Sequence, residues 1–148
     1  MTRVDFYLLD HSTEGGRDAA VCKLTHKAFR LGHHVYILTA DDNDAQRLDQ
    51  LLWTFHAGSF IPHGINMQSE DTGLPVLIGK EEPPSAFDDV LITLAPRVPE
   101  CFSRFQRVAE VVNGDEDDKA RGRERFRFYR DRGYTLQTHK LALDSGWA

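Results

Sequence analysis

Short, almost wholly apolar runs alternate along this chain with stretches of helical periodicity. Residues 4–9 (VDFYLL) and 35–39 (VYILT) have the nearly continuous apolar character of strands that are buried on both faces. Residues 17–31 lie between them, carry apolar side chains at helical spacing and end just before Gly32, a residue that favours the end of a helix. Strands that alternate with helices predict an α/β fold: a three-layer, doubly wound domain with a mostly parallel, Rossmann-like sheet.

The rest of the chain continues this pattern with shorter elements. We predict an amphipathic helix over 43–55, a short strand at Phe60 and Ile61, and an exposed loop over 62–75. Strands over 76–78 and 90–94, a short helix over 99–104 and a strand over 108–112 follow. A basic helix comes next, and the segment over 135–143 is either an edge strand or ordered coil. No repeat or linker interrupts the sequence, so we expect a single domain over 1–148.

Composition and charge exclude several classes of protein. The formal net charge of -5 argues against a whole-surface field that attracts nucleic acid. The two cysteines, Cys22 and Cys101, lie far apart and indicate neither a disulfide scaffold nor a zinc site. The sequence has no signal peptide pattern and no apolar run long enough for a membrane span, so we predict a cytoplasmic protein without a membrane partner.

The sequence contains no complete catalytic motif. Two adjacent glycines follow the first strand, but neither GxGxxG nor GxxxxGK[ST] is present, and the seven histidines form no HExxH or HxH pattern. The acids Asp10, Asp41, Asp42 and Asp88 could in principle hold Mg²⁺, although acids near strand ends also suit the starts of helices. We therefore predict a non-catalytic chain without a cofactor or metal, with a nucleotide-dependent hydrolase or transferase using Asp10 and Asp41 as the alternative.

The segment over 115–134 (DEDDKARGRERFRFYRDRGY) begins with acids and continues with arginines. On a helix, Lys119, Arg123, Arg127 and Arg130 fall within about 80° of one another. Beside this basic stripe lies a row of apolar or small residues: Gly122, Phe126, Tyr129 and Gly133. The combination predicts a site for an anionic ligand with an apolar end, because guanidinium groups bind carboxylates and phosphates in bidentate fashion.

Two other interpretations of this segment stay open. It could be an ordinary solvated helix whose charges form i,i+4 pairs, Asp115 with Lys119 and Asp117 with Arg121. It could also be a direct single-stranded DNA-binding module, with the arginines on phosphates and Phe126 stacked on bases.

Two large aromatic residues lie near the end of the predicted second helix: Trp53 late within it and Phe60 shortly after it. These residues could belong to the core. They could equally be anchors for a protein partner, because Trp and Phe contribute much of the binding energy at interfaces. The sequence does not decide between the two.

Several blocks of sequence, taken in order, resemble one protein family. These are FYLLD at 6–10, RLDQLLW at 47–53, SFIPH at 59–63, DVLITL at 89–94, EVV at 110–112 and KARGRERFRFYRDRGYTL at 119–136. Together they resemble the chi subunit of bacterial DNA polymerase III. The resemblance implies a non-catalytic adaptor with a nucleotide-binding-like fold that lacks the nucleotide site. Members of that family join the psi subunit of the clamp loader to the acidic C-terminal tail of single-stranded DNA-binding protein, which ends in Pro-Phe and a free carboxylate.

The resemblance also assigns residues to these partners. The tail site would comprise Val112, Lys119, Arg123, Phe126 and Arg127, with Arg123 as the first choice for the terminal carboxylate.

The positions that match family aromatics, Trp53 and Phe60, would dock psi or a helicase. Some bacteria with a recognisable chi lack an obvious psi, so a psi partner is expected only where one exists. By the same resemblance we expect a monomer when the chain is alone and no direct contact with nucleic acid.

Overall fold

The computed structural model describes residues 2–10, 16–55, 60–66 and 73–141. Within these ranges the elements are, in chain order, strand β1 (Arg3–Leu9), helix α1 (Gly16–Arg30), strand β2 (Val35–Leu38), helix α2 (Asp42–Thr54), strands β3 (His63–Ile65), β4 (Val76–Gly79) and β5 (Val90–Thr93), a 3-10 helix (Phe102–Arg104), strand β6 (Arg107–Val112), helix α3 (Glu116–Asp131) and strand β7 (Thr135–Leu141). None of the helices in the described ranges has the length and hydrophobicity that crossing a bilayer requires.

The seven strands of the described residues form one sheet in the order β3-β4-β2-β5-β6-β1-β7. Every neighbouring pair is parallel, with β1 between β6 and β7. Because parallel strands need crossover connections, the helices cover the two faces of the sheet. The fold is therefore the three-layer α/β architecture that the sequence predicts.

Alternating side chains along the strands supply two separate apolar layers. On one face, β2 contributes Val35 and Ile37 beneath α1 and α2. On the other face, β1 contributes Val4 and Phe6 beneath the 3-10 helix and α3. The two cores together explain why the strands read as continuous apolar runs, since both of their faces are buried.

Local signals place most of the element ends as predicted. Helix α2 begins one residue before the predicted position, because the Asp41 side chain caps it by accepting a hydrogen bond from the backbone N–H of Asp44 at 2.8 Å. Helix α1 ends before Gly32, which has a φ of 88° that favours glycine. The segment after α3 is the edge strand β7. It pairs with β1 in parallel, beginning with Thr135 opposite Arg3.

The predicted strand at Phe60 and Ile61 is wrong. The strand of this region is β3, His63–Ile65, which lies inside the stretch predicted as an exposed loop. It forms because β4 offers a free edge, and the backbone N–H of Asn66 donates to the carbonyl of Ile78 at 2.7 Å. A three-residue edge strand of this kind depends on the neighbouring backbone, which hydrophobic patterning does not report. The predicted helix over 99–104 is reduced to the 3-10 turn Phe102–Arg104.

Candidate functional site

A largely apolar cavity of about 310 Å³ lies between α3 and the sheet. Its walls come from β1, β6, β7 and the part of α3 between Lys119 and Phe126. The lining residues are Phe6, Leu8, Leu9, Val112, Asn113, Lys119, Gly122, Arg123, Phe126 and Thr138. A cavity of this size is at the lower end of the range of small-ligand pockets, and its mostly apolar walls suit an aromatic side chain.

A glycine on α3 sets how closely the helix approaches the floor of the cavity. Gly122 is buried, and a Cβ atom built on it would lie 3.1 Å from both Cγ atoms of Val112. Only a residue without a side chain therefore fits this contact without a shift of the helix or of Val112. Further along α3, the ring of Phe126 packs edge-on against that of Phe6, with centroids 5.3 Å apart. These contacts fix the two apolar walls relative to each other.

Three cations border the cavity and its outer rim. Lys119 and Arg123 line the cavity, while Arg127 lines an adjoining depression of about 220 Å³ together with Arg123, Phe126 and Arg130. Lys119, Arg123 and Arg127 are exposed, and none of them has a carboxylate partner among the residues that the structure describes. The structure thus brings together all five residues assigned to the tail site, four in the cavity and Arg127 beside it.

The remaining arginines of α3 are engaged within the protein. Arg121 pairs with Asp118 at 3.4 Å, and Arg130 pairs with Asp131 at 3.1 Å. Just after the helix, the guanidinium of Arg132 lies 3.6 Å from the centroid of the Phe128 ring. The arginine excess of this segment is therefore partly structural, and the cations without such partners are concentrated at the cavity.

The solvated-helix alternative has i,i+4 ion pairs of Asp115 with Lys119 and of Asp117 with Arg121, and neither pair forms among the described residues. Asp115 instead caps α3 by accepting a hydrogen bond from the backbone N–H of Asp118 at 3.1 Å. This geometry turns the Asp115 carboxylate toward the helix end and leaves the Lys119 ammonium exposed.

Two members of the predicted apolar stripe do not belong to the cavity. Tyr129 is completely buried, and its hydroxyl donates to Glu110 Oε2 at 2.7 Å. Burial, together with the neighbouring Glu110 carboxylate, raises the pKa of Tyr129. Gly133 lies beyond the end of α3 with a φ of 80°. Helical spacing places Phe126 on the inner side of α3, as the structure does, but it does not show how deeply each residue is buried.

The sequence reasoning missed a buried ionic network behind the cavity. Arg125 Nε donates to Glu110 Oε1 at 2.8 Å, and Arg125 also donates to the carbonyl of Pro96 at 2.9 Å. The signal was present in the sequence, because Glu110 stands within the otherwise apolar run VAEVV and a buried carboxylate needs a partner. The network joins α3 to β6 and so orients the helix above the cavity.

The acids considered for Mg²⁺ have other roles where the structure shows their contacts. Asp41 caps α2, and Asp42 pairs with Lys80 at 3.3 Å. Across the described parts of the chain, no group of three or more His, Cys, Asp or Glu side chains is arranged to hold a metal ion.

A second candidate surface lies at the other edge of the sheet. Trp53 and Phe60 are 45% and 66% exposed, and their ring centroids are 5.6 Å apart. The ring centroid of Trp53 also lies 4.0 Å from that of His63. The His63 ring is held by two backbone carbonyls, with Nδ1 2.7 Å from the oxygen of Ile61 and Nε2 2.9 Å from the oxygen of Asp49. The question that the sequence left open is thereby answered: both aromatics are on the surface rather than in the core.

Comparison with known proteins gives a single family. The family model described as DNA polymerase III chi subunit, HolC, matches residues 1–137. The chain belongs to this family. It is 41% identical over 141 residues to the DNA polymerase III subunit chi of Pseudomonas aeruginosa, covering 95% of this chain and 98% of that protein. The corresponding subunit of Escherichia coli is 32% identical over 143 residues, covering 93% of this chain and 97% of that protein.

Membership of the chi family confirms the resemblance inferred from the sequence blocks. It supports a role as an accessory subunit of DNA polymerase III, and such a role requires no catalytic centre on this chain. A polymerase subunit associates with other proteins of the replisome, so the cavity beside α3 and the exposed aromatic pair are candidate interaction sites.

Proposed function

We propose that this chain is a non-catalytic adaptor of DNA polymerase III that binds the acidic C-terminal tail of single-stranded DNA-binding protein. The observation that carries the proposal is the apolar cavity bordered by Lys119, Arg123 and Arg127, cations without carboxylate partners among the described residues. An acidic peptide that ends in an aromatic residue matches both properties of this site.

The cavity and the cations divide the recognition between them. The terminal phenyl ring of the tail enters the space between Phe6, Val112 and Phe126, where it removes apolar surface from water. Arg123 lies at the same cavity and binds the terminal carboxylate through charge-assisted hydrogen bonds. Because Phe126 has no hydroxyl, it contributes packing and no hydrogen bond to the ligand.

The outer rim extends recognition to the rest of the tail. Lys119 and Arg127 lie on either side of Arg123 along α3 and bind carboxylates upstream of the terminal residue. These contacts are exposed, so salt screens them, and affinity falls with ionic strength while the buried ring keeps its contribution.

The second part of the proposal concerns Trp53 and Phe60. These residues dock the psi subunit where the organism has one, or a helicase that uses the same surface. Two exposed aromatics in contact are typical anchors of protein interfaces. They lie beside β3, whereas the cavity lies beside β7, so the two surfaces are at opposite edges of the sheet. This separation allows one domain, residues 1–148, to hold two partners at once.

In this account the chain acts as a monomer by binding alone, without a cofactor or direct contact with nucleic acid. Single-stranded DNA-binding protein already coats the DNA. The net charge of -5 also opposes binding of the DNA phosphate backbone, except at a local basic patch. A labelled single-stranded oligonucleotide therefore provides a control ligand, which should bind far more weakly than the tail peptide.

The experiment that tests the proposed site compares two arginines of the same helix. Arg123→Ala should weaken binding of a tail peptide by on the order of 1–3 kcal/mol, because it removes charge-assisted hydrogen bonds to the terminal carboxylate. Arg121→Ala removes the same charge from a residue that pairs with Asp118 outside the cavity and should leave the affinity nearly unchanged. Equal effects of the two substitutions, measured by isothermal titration calorimetry, would contradict the assignment.

A further inference from the structure

The edge strand β7 forms one side of the cavity. Thr138 lines the cavity, and it pairs in register with Phe6 of β1, which lines it too. The next residue of β7 on the same face is Lys140, which is opposite Leu8, another lining residue. Because directly paired residues of neighbouring parallel strands point to the same face of the sheet, the Lys140 side chain emerges on the face that carries the cavity. It does so about 7 Å beyond Thr138 along the strand.

Lys140 also lies at the same end of the cavity as Lys119. Strand β6 ends at Val112, and α3 begins at Glu116, so the first turns of α3 are next to the carboxyl edge of the sheet. Strands β6, β1 and β7 run parallel, and Lys140 is close to the carboxyl end of β7. One lysine therefore stands on the helix side of the cavity mouth and the other on the strand side.

The opposite face of β7 explains how an edge strand holds this position. Arg3 Nη2 donates to Gln137 Oε1 at 2.7 Å, and His139 Nε2 lies 3.0 Å from Asp5 Oδ1. The Asp5 carboxylate, which is completely buried, also accepts a hydrogen bond from Arg107 Nε at 2.8 Å. Gln137 and His139 are thus held by residues of β1 on the far face, which leaves Thr138 and Lys140 on the face that carries the cavity.

No ion pair within the described part of the chain accounts for the charge of Lys140. It is exposed and has no carboxylate partner among the residues that the structure describes, whereas Lys80 pairs with Asp42 at 3.3 Å. The Asp5 carboxylate cannot serve as the partner, because its register position opposite Gln137 puts it on the other face of the sheet.

We propose that Lys140 forms a second cationic wall of the tail site and binds a carboxylate upstream of the terminal aromatic residue. This inference rests on the function proposed above. It places a cation on each side of the cavity mouth, Lys119 on α3 and Lys140 on β7, beside the acidic part of the tail. Lys140 would also make the strand side of the site favour peptides with acidic residues near their end. The cavity favours the terminal ring separately.

The test is a fluorescence anisotropy titration of the full chain with an acidic peptide ending in Pro-Phe at low salt. Lys140→Ala should weaken binding about threefold and Lys140→Glu about tenfold, the range expected for loss and reversal of one exposed charge pair. Lys80→Ala, which removes the same charge at a distance from the cavity, should have no effect. Thermal unfolding of each variant checks that the fold is retained.

A second peptide separates charge pairing from other causes. In this peptide the acidic residues are replaced by their amides, and Pro-Phe is kept. Wild type and Lys140→Ala should bind it equally. The same weakening with both peptides, or no weakening with either, would overturn the role of Lys140 while leaving the tail site intact. Failure of the wild-type chain to bind the acidic peptide would overturn the proposed function itself, and this inference with it.

Discussion

Arg125 donates a hydrogen bond to Glu110 at 2.8 Å inside the protein, where the two residues are 4% and 0% exposed. This contact joins the middle of α3 to the centre of β6, and the Tyr129 hydroxyl occupies the other carboxylate oxygen. The exposed Arg123 and the half-buried Phe126 flank Arg125 in sequence, so the buried pair fixes the part of the helix that borders the cavity.

Removal of one partner of this pair should destabilise the fold strongly. Arg125→Ala leaves the Glu110 carboxylate buried without its ionic partner, which typically costs about 3–5 kcal/mol. The measurement is the free energy of unfolding in urea, with Arg121→Ala as the control because that residue is exposed and its pair with Asp118 is worth little. A loss below about 1 kcal/mol for Arg125→Ala would mean that the network does not hold α3 in place.

The contact between Gly122 and Val112 provides a test of the cavity itself. Gly122→Ala places a methyl group 3.1 Å from the Val112 side chain, so either α3 or Val112 must shift and the cavity changes shape. The better helix propensity of alanine, worth about 1 kcal/mol, offsets the strain in the free energy of unfolding. We therefore expect a stability close to that of the wild type and a tail affinity reduced severalfold. Unchanged affinity in the same titration would show that the ligand does not use this wall.

Asp5 forms an ionic cluster with His139, Arg107 and Arg3. This cluster predicts that the stability of the fold depends on pH in the acid range. Burial alone would raise the pKa of Asp5, but the hydrogen bonds from His139 and Arg107 and the charges of Arg107 and Arg3 outweigh it, and the pKa is lowered. Stabilisation by a carboxylate with a lowered pKa is fully present above the unfolded-state pKa of about 3.9 and is lost as pH falls through the folded-state pKa.

The variant Asp5→Asn isolates this effect, because asparagine does not ionise. The stability advantage of the wild type over Asp5→Asn should be largest above about pH 5 and should shrink steadily toward pH 2. Chemical unfolding of both proteins at a series of pH values gives the difference directly. A difference that stays constant over this range would show that the cluster does not favour the ionised carboxylate.

The separation of the two surfaces predicts that their functions are independent. Trp53→Ala removes an exposed ring beside β3 and should leave the affinity for the tail peptide unchanged, since the cavity lies beside β7 at the other edge of the sheet. In a capture assay with psi or a helicase, the same variant should lose binding that Arg123→Ala retains. If both variants lost both partners, the two proposed surfaces would not be distinct.

The fold was largely predictable because its main signals are local. Continuous apolar runs mark strands buried on both faces, and Gly32 and Asp41 mark a helix end and a helix start. Strand β3 was not predictable in this way, because its three residues, HGI, are held by the free edge of β4 rather than by their own pattern. Pairing between distant segments leaves no periodic signal in the sequence.

The candidate site was predictable as a set of residues but not as an arrangement. Helical spacing and the family resemblance pointed to Arg123 and Phe126 together. They did not show that Arg125 is buried against Glu110, since every arginine of the segment looks equally exposed in the sequence. They also gave no reason to connect Lys140 with α3, because that connection depends on the register of β7 on β1.

The central claim is that the cavity binds the aromatic end of an acidic tail. The most direct test is a fluorescence anisotropy titration of the full chain with a labelled acidic peptide ending in Pro-Phe, in parallel with the same peptide lacking its final Phe. We expect saturable binding of the first peptide and near loss of binding for the second, because the ring that fills the cavity is gone. Equal binding of both peptides would contradict it and would reduce the cations of α3 to a nonspecific anion patch.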